Sequence, residues 1–118
     1  MTQHFQRIRV AVSGSLLAFG LLVSAAHAAT DEDAARALAK KNDCFKCHAI
    51  DKTKKGPSYK KVAAKYKGKE AEGEQKIYKN ITTGPKVKLE DGSEEDHKII
   101  DTKDPAELKN LIQWILSL

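Results

Sequence analysis

The stretch Cys44-Phe45-Lys46-Cys47-His48 is the most informative part of this 118-residue chain. Two residues separate its cysteines, and a histidine follows the second cysteine directly. This C-x-x-C-H spacing is an attachment motif for haem, because each thiol can form a thioether with one vinyl group of the porphyrin. The imidazole of His48 is then held beneath the ring, where it can bind the iron. The motif therefore predicts one covalently bound haem, attached through Cys44 and Cys47.

Three other sites could use the same residues. A disulfide between Cys44 and Cys47 is compatible with an exported chain, and a thioredoxin-like redox pair would use the same thiols. Cys44, Cys47, His48 and His97 also make a Cys₂His₂ set for zinc. However, no βαβ pattern surrounds the motif, and a histidine directly beside its fellow ligand fits a tetrahedral site poorly. The haem site is therefore the preferred interpretation.

Residues 1–28 have the pattern of a secretory signal peptide. Arg7 and Arg9 give a positive start, Val10–Ala25 is an apolar run interrupted only by Ser and Gly, and Ala26-His27-Ala28 is an A-x-A cleavage site. We expect cleavage after this site, export to the periplasm, and a single domain over residues 29–118. An uncleaved membrane anchor is the alternative.

Removal of the signal peptide would leave very few side chains able to bind iron. Met1 is the only methionine of the chain, so the mature protein would contain none. His4 and His27 would also be lost, leaving His48 and His97 as the two remaining histidines.

Hydrophobic periodicity predicts four helices and an all-α fold. Thr30 is the expected N-cap of the first helix, which Asn42 ends. Gly68 ends the second helix, and Asp104 is the expected N-cap of the last. The apolar stripe of the second helix contains Tyr59, Val62, Ala63 and Tyr66, and that of the last contains Leu108, Leu111, Ile112, Ile115 and Leu116. The third helix is expected over residues 70–82, with Ile77, Tyr78 and Ile81 buried.

Residues 84–103, which begin with Gly84-Pro85, form the least regular part of the sequence. The alternation Lys86-Val87-Lys88-Leu89 and the turn signal Asp91-Gly92 are compatible with a short hairpin. The acidic cluster that follows favours a solvated loop, and we expect a loop here.

These features together resemble the short, single-haem class I cytochromes c of bacterial periplasms. The resemblance rests on residues 40–51, Gly56-Pro57-Ser58-Tyr59, residues 62–66 and Trp114-Ile115-Leu116-Ser117. It implies an all-α class I cytochrome c fold, with the first and last helices crossing beside one haem c. It also implies that His48 is the proximal ligand, and that the carbonyl of Pro57 accepts a hydrogen bond from its other ring nitrogen. The implied function is one-electron transfer rather than catalysis.

The distal ligand is where the chain departs from this family. The family places a methionine in a proline-rich loop before the last helix, whereas residues 84–103 contain no methionine. His97 is the good iron ligand of this segment, so we predict bis-histidine ligation and a lower potential than in His/Met relatives. An open or water-bound sixth position, as in a gas- or peroxide-binding protein or the haem subunit of a larger enzyme, is the main alternative. A lysine ligand is the third option, the candidates being Lys86, Lys88 and Lys98.

Charge is distributed unevenly along the chain. Eleven lysines against two acids lie in residues 40–69, and eight acids against two lysines lie in residues 90–107. We expect a dipolar, soluble monomer whose lysines steer periplasmic redox proteins or membrane-bound redox complexes. A lysine surface that merely keeps the protein in solution is the alternative. The mature chain would have 19 basic against 16 acidic residues, or +3, and no aromatic-basic platform, which argues against nucleic-acid binding.

Overall fold

The computed structural model describes residues 29–118, and the predicted signal peptide lies outside them. The described chain contains four α-helices, as predicted, together with a 3₁₀ turn at Cys44–Lys46 and a two-stranded hairpin. The elements are α1 (Glu32–Lys41), α2 (Tyr59–Tyr66), α3 (Glu70–Thr83), β1 (Lys86–Lys88), β2 (Glu94–Asp96) and α4 (Pro105–Leu116). Within residues 29–118, no helix is both long and apolar enough to cross a membrane.

Helix α1 begins one residue later than the sequence predicts. Asp31 rather than Thr30 is the N-cap, and its carboxylate accepts a hydrogen bond from the backbone N–H of Ala34 at 2.9 Å. A carboxylate suits this position because it satisfies a free N–H group and faces the positive end of the helix dipole. Asn42 ends the helix, as predicted.

Helices α2 and α3 pack on α4 with one face each. Tyr59, Ala63 and Tyr66 of α2 are buried, as is Ile81 of α3. The prediction that Tyr78 is buried was wrong, since it is 52% exposed. Tyr78 lies about 100° around the helix from the half-buried Ile77, and this rotation turns it out of the contact face.

The core lies between α1 and α4. The stripe of α4 is buried as expected except for the half-buried Leu116, and Trp114 is among the most buried residues, at 1% exposed. Helix α1 approaches through Ala35 and Ala39, whose small side chains allow close contact. Asn110 of α4 joins the two helices at one end: its side-chain amide donates to the backbone oxygen of Asp31 and accepts from its N–H, both at 2.8 Å.

Residues 86–96 form a hairpin, so our expectation of a loop was wrong. The strands are antiparallel, with Lys86 opposite Asp96 and Lys88 opposite Glu94. Opposite charges at paired positions stabilise such a ladder. The turn is closed by Asp91, whose carboxylate accepts from the N–H of Ser93 at 2.9 Å. These local interactions compensate for a strand pair that buries little apolar surface.

Candidate haem-attachment site

The attachment motif begins in the 3₁₀ turn that follows α1. Asp43 has a left-handed conformation with φ 57°, and the N–H groups of Cys47 and His48 then donate to the carbonyl of Cys44 at 3.2 and 3.0 Å. This tight turn places both cysteines and the histidine close together within five residues. Cys44 and Cys47 are half-buried free thiols, so the disulfide alternative finds no support.

The imidazole of His48 is held by the loop that precedes α2. Its Nδ1 lies 2.7 Å from the carbonyl oxygen of Pro57, so Nδ1 carries the proton and donates it to this acceptor. Gly56 allows the close approach, because a Cβ at that position would lie 2.8 Å from Cε1 of His48. With Nδ1 engaged, Nε2 keeps its lone pair and can bind a metal ion.

Aromatic contacts fix the other side of this imidazole. The ring of Tyr59 stacks on His48, with centroids 5.2 Å apart and planes 19° apart, and itself meets the buried Trp114 edge-on at 5.7 Å. The sequence pattern identifies Tyr59 as a core residue but not as a support of the histidine. The available sequence signal for this supporting role was the position of Tyr59, two residues after Pro57.

Burial shifts the pKa values of His48, Cys44 and Tyr59 in the directions that favour their neutral forms. Desolvation lowers the pKa of His48, although the hydrogen bond to Pro57 partly opposes this shift. Desolvation also raises the pKa of the Cys44 thiol, against a smaller opposing effect of a hydrogen bond with Tyr59. The pKa of the Tyr59 hydroxyl rises for the same primary reason.

The structure brings His97 to His48, although they are 49 positions apart in sequence. Their ring centroids are 6.3 Å apart, and the planes make an angle of 37°. His97 follows β2, its backbone N–H donates to the carbonyl of Pro85 at 2.9 Å, and its Nδ1 lies 2.9 Å from the carbonyl oxygen of Lys98. The hairpin therefore determines where this histidine lies.

Gly84 is a second residue of this segment that the sequence pattern does not single out as functional. It has φ +58°, and a Cβ there would lie 2.7 Å from the backbone oxygen of His97. The pair Gly84-Pro85 by itself indicates only a break after α3. Its additional role is to let the His97 backbone pass close to the end of that helix.

Two of the three candidate lysine ligands have carboxylate partners, and the zinc set is not assembled. Lys98 forms an ion pair with Asp43 at 3.3 Å, and Lys86 with Asp96 at 3.5 Å, so both lysines have carboxylate partners. In the part of the chain that the structure describes, no three or more His, Cys, Asp or Glu side chains are grouped to hold a metal ion. The zinc alternative therefore has no support.

The residues present fit a covalently attached haem. Two free thiols and an imidazole with an available Nε2 lie in one turn. Phe45 and Ile50 are only partly buried and line an open pocket together with His48, as expected where an apolar macrocycle covers them. The buried Nε1 of Trp114 and Oδ1 of Asn80 have no hydrogen-bond partner among the described residues.

Comparison with known families gives a match over most of the chain. The family described as Cytochrome c matches residues 32–118. Cytochrome c-552 of Nitrosomonas europaea is 32% identical over 121 residues, which cover 94% of this chain and 99% of that protein. Cytochrome c-551 of Pseudomonas denitrificans is 35% identical over 81 residues, covering 69% of this chain and 93% of the relative.

Solved structures show the same relationship. The class 1 cytochrome MtoD from Sideroxydans lithotrophicus ES-1 is 57% identical, with a TM-score of 0.70 over 75% of this chain and 97% of its own. Wild-type cytochrome c552 of Nitrosomonas europaea is 30% identical, with a TM-score of 0.56 over 70% of this chain and 98% of its own. The chain therefore belongs to the cytochrome c family and is a small class I member, an electron carrier with one covalently attached haem c.

Proposed function

We propose that this protein is a periplasmic one-electron carrier whose haem iron is bound axially by His48 and His97, at a lower potential than in His/Met relatives. The observation that carries the proposal is the distance of 6.3 Å between the two ring centroids. It rests on a pair of residues that the sequence places far apart and on the lack of any methionine after Met1.

The spacing of the two imidazoles matches the requirement of a shared metal ion. A metal–imidazole bond is about 2.0–2.1 Å long, and a ring nitrogen lies about 1.2 Å from its ring centre. Two imidazoles on opposite sides of one ion therefore have centroids about 6.4–6.6 Å apart, because both distances count twice, and the observed 6.3 Å is close to this range. The angle of 37° between the planes is compatible with this, since each ring can rotate about its bond to the metal.

Both imidazoles also make the same kind of hydrogen bond. Nδ1 of His48 faces the carbonyl of Pro57, and Nδ1 of His97 faces that of Lys98, at 2.7 and 2.9 Å. A ligating histidine commonly donates its second ring N–H to such an acceptor, which sets the tautomer and the ring orientation. This arrangement leaves Nε2 of each residue available.

The ligand pair has consequences for the activity. The haem supplies one-electron chemistry, and imidazole in place of a thioether favours the ferric state and lowers the potential. Two strong axial ligands leave no position for a substrate, so the proposal describes a carrier rather than an enzyme. The alternative of an open sixth position needs His97 to lie away from His48, and their proximity weighs against it.

Near-infrared magnetic circular dichroism and electron paramagnetic resonance of the ferric holoprotein test the ligand pair. We expect a low-spin bis-histidine signature for the wild type and a high-spin signal for His97→Ala. The matched variant His97→Met offers a thioether at the same position and should raise the potential. A high-spin wild-type protein, or an unchanged spectrum in His97→Ala, would contradict the proposal.

We also propose that acidic redox partners of the periplasm or its bounding membrane dock on the lysine-rich surface of residues 40–69. Lys46 lies within the attachment motif and its side chain is 75% exposed, and Lys52, Lys54 and Lys55 are exposed on the following loop. Electron-exchange rates with an acidic redox protein should fall as ionic strength rises. Equal rates in low and high salt would remove this part of the proposal.

A further inference from the structure

The end of α1 is attached to the segment that carries His97 by three side-chain contacts. Lys41 forms an ion pair with Asp101 at 3.0 Å, and Asp43 forms one with Lys98 at 3.3 Å. Between them, Oδ1 of Asn42 accepts a hydrogen bond from the backbone N–H of Asp101 at 2.9 Å. Three consecutive residues, directly before the attachment motif, thus contact residues 98–101.

Asn42 is the central contact of the three. It is 3% exposed, and both polar groups of its side chain are satisfied, because Nδ2 donates to the carbonyl of Leu38 at 3.0 Å. A buried, fully bonded amide contributes more than the two ion pairs beside it, whose side chains are largely exposed to solvent.

The segment has two further anchors. The N–H of Ile100, a buried residue, donates to the carbonyl of Ile81 at 3.0 Å, and the N–H of His97 donates to that of Pro85. Both of these anchors hold the segment to α3 or to the residues that follow it. Asn42 is therefore the buried connection between residues 97–101, which we call the distal segment, and the helix end that leads into Cys44.

We propose that Asn42 is a positioning residue for His97: by holding the backbone of Asp101, it limits how far the distal segment can move from His48. This inference rests on the bis-histidine ligation proposed above. Asn42 thereby controls the rate at which His97 leaves the iron, and hence the rate at which an external ligand can reach the sixth position. Its side chain acts through the backbone, because its hydrogen bonds go to Leu38 and Asp101 and not to either imidazole.

The chain offers a matched control at the opposite end of α1. Asn110 also uses both polar groups of its amide on backbone atoms, but it connects α4 to Asp31, away from His97. Asn110→Ala therefore removes a similar pair of hydrogen bonds without loosening the distal segment. Ala39→Leu, which overpacks the contact between α1 and α4, is a second control for lost global stability.

Cyanide binding to the ferric holoproteins measures the release of His97. At saturating cyanide, the observed rate reaches a plateau that equals the rate of ligand release. We expect a plateau about tenfold faster in Asn42→Ala, as the loss of a buried hydrogen bond implies, and less than about threefold faster in both controls. Amide hydrogen exchange at Asp101 should accelerate in Asn42→Ala but not in Asn110→Ala, and this readout does not depend on the iron ligand.

The outcomes separate the two proposals. A wild-type protein without a bis-histidine signature refutes the ligation itself, whatever the exchange data show. A bis-histidine wild type whose plateau rate is unchanged in Asn42→Ala, or raised equally in all three variants, refutes the role of Asn42. If Asn42→Ala does not fold, Asn42→Ser replaces it, because a side chain that is shorter and has no amide cannot keep both hydrogen bonds of Asn42. An unchanged plateau rate in that variant overturns the proposal.

Discussion

At the scale of single residues, the backbone conformation of Gly84 affects where His97 lies. Gly84 has a left-handed conformation directly after α3. A Cβ at this position would lie 2.7 Å from the carbonyl oxygen of His97, so the missing side chain leaves room for that oxygen. A side chain at position 84 would be strained by its φ of +58° and would also displace the distal segment.

We predict that Gly84→Ala destabilises the protein by about 3 kcal/mol or more, because left-handed strain and overpacking add. Gly92→Ala is the matched control: its φ is +85°, but a Cβ there would meet no other described residue within 4 Å, so only strain applies, about 1–2 kcal/mol. Urea denaturation measures both changes, and equal losses of stability would show that the contact with His97 is unimportant.

Asp101 makes a pH-dependent contribution to stability. The ammonium group of Lys41 and, to a lesser extent, the neighbouring amide of Asn42 hold the pKa of its carboxyl below the ordinary value of 3.8. Since the folded-state pKa is the lower one, this contribution is present above about pH 3.8 and is lost as the pH falls through the folded-state value.

In the wild type, this contribution to the free energy of unfolding is lost as the pH falls from about 4 to about 2. We therefore predict a smaller loss of stability over this range in Asp101→Asn, which has no titrating carboxyl at this position. Lys41→Met removes the cation that is the main cause of the shift and should weaken the same acid dependence. Denaturation curves measured across this range provide the check. An acid dependence identical in the wild type and both variants would contradict the assignment.

At the scale of elements, the contact between α1 and α4 organises the molecule. It joins the first helix to the last through Ala35 and Ala39, and the attachment motif follows directly from the end of α1. The hairpin has the complementary role, because it carries the chain from the end of α3 to His97. The position of the attachment motif therefore depends on helix packing, and the position of His97 depends on a polar strand pair.

Ala39→Leu should destabilise the protein by about 1–3 kcal/mol, because no space remains at a position that is 0% exposed. Ala37→Leu introduces the same side chain on the exposed face of the same helix and should change stability by less than about 0.5 kcal/mol. Thermal unfolding of both variants measures the difference. Similar midpoints would mean that α1 can move away from α4 at little cost.

At the scale of the whole molecule, the fold has a small core with several partly buried apolar side chains packed against it, among them Phe45 of the attachment motif. A chain of this size buries a limited fraction of its surface, and covalent attachment of an apolar group adds to its stability. The ion pairs of the described residues lie on the surface and contribute little, since such pairs are typically worth less than about 1 kcal/mol.

We predict that the double variant Cys44→Ala/Cys47→Ala, which cannot form thioethers, loses most of its helical circular dichroism at room temperature. The reason is that the partly buried apolar side chains, such as Phe45 and Ile50 beside His48, then lack the group that covers them. His97→Ala is the control, because it keeps both thioethers and should retain the helical signal. A fully helical double variant would show that the core suffices on its own.

Much of this architecture could be predicted from local sequence patterns. The attachment motif, the order of four helices, the N-cap at Asp104 and the end of α1 at Asn42 depend on neighbours in sequence, because caps and periodic faces are local. The same reasoning placed the start of α1 one residue too early, because two adjacent polar residues compete as N-caps. It also wrongly predicted that Tyr78 is buried, because the rotation of the helix decides which residues are exposed.

What the sequence determined by itself was the chemistry of the site: two thiols, one adjacent imidazole, and no methionine beyond Met1. Only the tertiary structure decided that His97 lies 6.3 Å from His48 and that Asn42 contacts the segment carrying it. These contacts join residues about 50 to 60 positions apart. They depend on how α1, α3 and the hairpin pack together, and the packing of distant elements leaves no signature in the spacing of residues along a chain.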